Sequence, residues 1–137
     1  MKQNIRKFGA CSLLVLLAAQ LSGCSASGGI QPSQATCNQF LTQMQAHQFG
    51  AAYNSLSSKC KAVTNAQQIQ NLWELVEKNK GKIQSWTQQG YRVNAGTSGS
   101  SVQLGYALKC AKSSSGATFS CVEENNKWLI QGFNFSA

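Results

Sequence analysis

Aspartate is absent from this chain, histidine and proline occur once each, and the only acids are Glu74, Glu77, Glu123 and Glu124. Each shortage removes a class of chemistry. Metal centres draw on clusters of His, Cys, Asp and Glu, yet His47 stands alone and no two cysteines are spaced as Cys-x-x-Cys. General acid–base catalysis needs titratable groups held within hydrogen-bond reach of a substrate. His47, Tyr53 and Tyr106 are too few to assemble such a pair, so no catalytic residue, metal ion or cofactor is expected. Nor does any basic stretch carry the aromatic interleaving of a nucleic-acid surface.

A membrane-spanning run is lacking too. The apolar stretch from Leu13 is interrupted by Gln20, Ser22 and Gly23, short of the roughly 20 residues that a bilayer needs. It follows a basic start holding Lys2, Arg6 and Lys7, which is the layout of a secretory signal. Its end, Leu21-Ser22-Gly23-Cys24, resembles the bacterial lipobox. That resemblance implies removal of a lipoprotein signal peptide, residues 1–23, and lipidation of Cys24. Two or more acyl chains anchor a protein stably where one does not, so Cys24 would hold the chain to a membrane without a spanning helix. Ser25 resembles the residues that permit sorting to the outer membrane, facing the periplasm, in a Gram-negative cell; otherwise the implied address is the outer face of the cell membrane.

Without residues 1–23, nine Lys and Arg face four Glu, a net charge of +5, which suits a solvated basic surface. The Ser- and Gly-rich segment 24–33 reads as a flexible tether, and 34–137 as one domain. Cys11 leaves with the signal and Cys24 carries lipid. Cys37, Cys60, Cys110 and Cys121 remain, and in an oxidising compartment they are expected to form two disulfides, for which three connectivities exist. If Cys110 and Cys121 face each other across a hairpin, Ser113 stands opposite Thr118 and the loop is Ser114–Ala117. The two cysteines then occupy a non-hydrogen-bonded pair, where side chains approach closest. Cys37 is left for Cys60, so the expected bonds are Cys37–Cys60 and Cys110–Cys121.

Apolar spacing predicts a helix over Gln34–Gln48, with Cys37, Phe40, Leu41 and Met44 inward and His47 continuing that face. A second, shorter helix follows at Ala51–Leu56. A third runs over Ala66–Asn79, capped by Thr64 with Gln67 and burying Ile69, Leu72, Trp73 and Val76. From Lys82 the period changes to two, giving strands at Lys82–Val93, Val102–Cys110, Thr118–Val122 and Lys127–Phe135.

Helices followed by an antiparallel sheet make an α+β fold. The step Phe49-Gly50-Ala51-Ala52-Tyr53, Trp86, the pair Gly105-Tyr106 and the ending Asn126-Lys127-Trp128-Leu129-Ile130-Gln131-Gly132-Phe133 together resemble the nuclear transport factor 2-like superfamily. The resemblance implies a cone: about three helices wrapped by a curved four-stranded antiparallel sheet, around a pocket that His47, Tyr53, Trp73, Trp86 and Tyr106 would line. Related enzymes line that pocket with Asp, His and Tyr, whereas this chain has no Asp and a single His. The expected role is therefore non-catalytic, a lipid-anchored envelope domain that binds a small apolar ligand in the cone or a partner protein on the open sheet face. The alternatives are a pocket hydrolase or isomerase, and an inhibitor- or immunity-like envelope protein.

Overall fold

The computed structural model describes residues 28–136. The expected signal peptide with Cys11, the expected lipidation site Cys24 and the first part of the expected tether lie outside the described residues. Four helices precede four strands: α1 (Ile30–Gln45), α2 (Phe49–Asn54), α3 (Ser58–Lys61), α4 (Ala66–Lys80), β1 (Ile83–Gly96), β2 (Gly99–Cys110), β3 (Ser114–Glu124) and β4 (Lys127–Phe135). The strands form one antiparallel sheet in the order β1-β2-β3-β4. Register shifts at Ile83/Ser85 and Gln88/Gly90 in β1, and at Ser120/Cys121 between β3 and β4, mark bulges, which bend strands and tighten their twist. The helices cover one face of the curved sheet, the α+β architecture expected of the nuclear transport factor 2-like cone.

Local chemistry explains most boundaries, including those the sequence misplaces. α1 starts at Ile30, inside the segment assigned to the tether, and its Ser33 is fully buried. At its other end Gln48 N–H donates to the Gln43 carbonyl and His47 N–H to that of Met44, the paired bonds of a Schellman cap. His47 is the left-handed residue that this cap requires, with φ 56°, so the helix stops before reaching it and its ring leaves the apolar face. α4 is capped by Asn65 and Gln68, whose side chains each bind the other's backbone N–H; the capping box sits one residue beyond the expected Thr64 and Gln67. Glu74 accepts from Gln70 at 2.7 Å, one turn back along α4. α4 ends at Gly81, where φ is 83° and a Cβ would come within 2.9 Å of the Lys112 amide nitrogen, so a side chain is disfavoured. Asn125 and Asn126, both with positive φ, make the two-residue turn between β3 and β4.

The β2–β3 hairpin departs furthest from expectation. β3 begins at Ser114, and Lys109 stands opposite Ser114, so the turn is Ala111–Ser113 rather than a loop over Ser114–Ala117. Val102, not Cys110, is the partner of Cys121. Eight residues of extended strand, about 26 Å, separate Val102 from Cys110, so a Cys110–Cys121 bond does not fit this register.

Inside the cone, Phe119 meets Phe40, Tyr106 and Phe135 edge-on at ring separations of 5.8, 5.7 and 6.1 Å, and Trp73 meets Phe135 at 5.7 Å. The free edge of β4 is closed by the chain after α2. Ser57 N–H donates to the Ile130 carbonyl at 2.8 Å, and Ile130 N–H to that of Ser55 at 2.9 Å.

Candidate functional site

The five residues expected to line a pocket are scattered. Trp73 and Tyr106 are core side chains, 0 % and 4 % exposed. Burial pushes the Tyr106 hydroxyl above its ordinary pKa, and that hydroxyl has no hydrogen-bond partner. Trp86 is half-buried at the margin of α1, its indole N–H donating to Asn38 Oδ1 at 3.1 Å. Tyr53 is half-buried on α2 with Lys61 Nζ 5.5 Å from its ring centre. His47 is exposed, 3.8 Å from Glu77 of α4 and edge-on to Phe49. The interior that a pocket would need is occupied by the aromatic cluster around Phe119.

A cleft of about 650 Å³ opens instead between the helices and the β3–β4 turn. Thr36, Gln39 and Gln43 reach it from α1, Asn54 from the end of α2, and Asn126 and Trp128 from the turn and β4. Thr36 Oγ1 donates to the Trp128 carbonyl at 2.8 Å, tying the first helix to the last strand at the cleft wall. Trp128 is itself fixed by Gly29, where a Cβ would come within 2.4 Å of the indole. Gln43 Oε1 is buried without a partner. A second cleft of about 640 Å³ lies on the other side of the same turn, between Lys59 and Ser98–Ser101, and shares Glu123 and Asn126 with the first. Amides, a hydroxyl and an indole, with Glu123 and Lys127 of opposite charge at the turn, make a surface that offers both donors and acceptors at little net charge. Their sequence signal is a polar stripe: Thr36, Gln39 and Gln43 recur at helical spacing beside the apolar stripe of Cys37, Phe40, Leu41 and Met44.

The described cysteines fall into two kinds. Cys37 on α1 and Cys121 on β3 are both 0 % exposed, with their sulfurs 3.5 Å apart. The hydrogen bond between them pushes the Cys37 thiol up, reinforced by burial, and draws that of Cys121 down against the effect of burial. Cys60 and Cys110 have no such neighbour. Cys60 lies beside Thr64, Gln68 and Ile69 at the start of α4, whereas Cys110 feels the charges of Lys80 and Glu77 at its end.

No protein-family model matches the sequence, and no curated protein matches it. Among solved structures, the chain is similar in fold to Aln2 from a Streptomyces species, with a TM-score of 0.53 and 9% identity over 78% of this chain and 88% of that one. At that identity the likeness is one of fold alone.

Proposed function

We propose that the protein is a lipid-anchored, extracytoplasmic domain of the bacterial envelope that binds a neutral, hydrogen-bonding ligand on its surface and performs no catalysis. The anchor rests on the sequence: Leu21-Ser22-Gly23-Cys24 behind a basic start and an apolar run. Geometry adds a consequence. Gly28 and Gly29 share a small cleft with Val93, Ser100, Val102 and Trp128, at the end of the sheet that carries the β1–β2 and β3–β4 turns. Only three residues separate Cys24 from Gly28, four chain steps with a reach of about 14 Å, so lipid on Cys24 keeps the amide-lined cleft close to the membrane surface. Lys78, Lys80, Lys82, Lys109 and Lys112 gather at the opposite end, where Ala111 and Lys112 pair with the carbonyls of Lys82 and Lys80.

The observation that carries surface binding is the filling of the cone by Phe40, Trp73, Tyr106, Phe119 and Phe135, which leaves ligands to surface clefts such as the amide-lined one. Cys24→Ser is expected to move the protein from the membrane fraction to the soluble one; a variant that loses its signal yet stays in the membrane overturns the anchor. Oligosaccharides of N-acetylglucosamine, which carry N-acetyl amides and hydroxyls and no charge, are a suitable probe of the cleft. Titrated into the labelled protein, they are expected to shift the amide signals of Thr36–Gln43 and Asn126–Trp128. Shifts confined to other elements overturn the cleft as the binding surface.

A further inference from the structure

We propose that Cys37 and Cys121 form a buried disulfide that staples α1 to the centre of the sheet, and that Cys60 and Cys110 remain thiols. Three observations converge. The Cys37 and Cys121 sulfurs are 3.5 Å apart, so joining them calls for a small adjustment rather than a rearrangement of backbone. Both side chains are fully buried among groups that leave hydrogen-bonding capacity unused. Ser33, one turn before Cys37 on the same face, has a buried Oγ without a partner, and so does the Tyr106 hydroxyl. Oxidation removes two weak S–H donors and leaves sulfurs that still accept from a neighbouring hydroxyl such as that of Ser33. Finally, the remaining cysteines are far apart. Cys60 adjoins Gln68 and Ile69 while Cys110 adjoins Glu77 and Lys80, about ten residues or 15 Å farther along α4. The expected Cys37–Cys60 bond is displaced because the sulfur that Cys37 meets is that of Cys121.

The chemistry needs an oxidant, and a disulfide carried by a thiol oxidoreductase of the exported compartment supplies it; this part rests on the extracytoplasmic reading. The Cys121 thiolate attacks one sulfur of the oxidant's disulfide and expels the other as a thiol. The Cys37 thiolate then attacks Cys121 in the mixed disulfide and expels the second thiol. The protein loses two protons and two electrons, and the oxidant becomes a dithiol. Neither sulfur is reachable once α1 has docked, so the bond forms during folding and afterwards resists external reductants.

The test is a non-reducing peptide map of the full chain, isolated from cells in detergent after acid quenching and alkylation. The expected result is a peptide linking Cys37 to Cys121, with Cys60 and Cys110 alkylated. Oxidised protein is then expected to melt about 10–20 °C above protein unfolded, reduced and refolded without oxidant. A linked peptide containing Cys60 or Cys110 overturns the proposal. If all four cysteines are alkylated in protein from cells, it is unfolded and refolded with oxidised glutathione. Formation of the Cys37–Cys121 peptide then upholds the pairing and rejects the exported location, whereas four thiols after refolding reject the pairing itself.

Discussion

β1 and β2 face each other from Trp86 and Leu108 to Gly96 and Gly99, yet they bury very different shares of their side chains. In β2, Val102, Leu104, Tyr106, Leu108 and Cys110 are all buried, one on every second residue; in β1 only Ile83 is. Opposite residues of an antiparallel pair share a face, so Trp86, Gln88, Tyr91 and Val93 point the same way as their buried partners. What differs is the cover. Phe40 on α1 and Trp73 on α4 pack on rings from β3 and β4. β1 meets α1 through polar contacts at its margin: Trp86 with Asn38, Gln88 with Gln34, and the Ile83 carbonyl with Gln45. Beyond Gln88 the strand runs past the start of α1. Alternation in a sequence says which side chains share a face, and the placement of helices decides whether that face is dry.

The largest expected effect comes from the dry side of this comparison. Leu104 is fully buried directly opposite Tyr91. Leu104→Ala should cost about 2–5 kcal/mol, because it removes buried methyl groups and leaves a cavity between sheet and helices. Denaturant or thermal unfolding measures it. A loss below about 1 kcal/mol would mean that the covered half of the sheet is as loosely packed as the open half.

That asymmetry marks how far the sequence can be read. β2 is legible because five apolar residues alternate without interruption, and the inward face of α1 because Cys37, Phe40, Leu41 and Met44 repeat at helical spacing. α3 is not legible as a helix: Ser58–Lys61 is four residues long and holds no apolar period, and its start is set by the Ser57 hydroxyl accepting from Cys60 N–H. The expected hairpin register fails for a related reason. It leans on a disulfide, but Ser114, Ser115 and Gly116 are small enough to continue β3 instead of turning, which carries the pairing eight residues away from the expected one. The cleft is hidden for a third reason: its amides come from α1, α2 and the β3–β4 turn, and no short window holds them together.

The smallest expected effect lies across the sheet from the largest. Tyr91 is 61 % exposed, although it faces the same way as Leu104. The adjoining Gly90 is free of neighbours within Cβ reach. Replacing Tyr91 by Ser therefore removes little buried area. Serine also keeps an extended backbone and a hydroxyl, at some cost in strand propensity. Tyr91→Ser is expected to change stability by no more than about 0.5 kcal/mol, the range of ordinary surface substitutions. Measured beside Leu104→Ala in the same unfolding assay, it isolates the contribution of the helical cover, since the two residues share one cross-strand pair. A loss from Tyr91→Ser comparable to that from Leu104→Ala would show that something covers the open half of β1 in solution, and the comparison between the strands would fail.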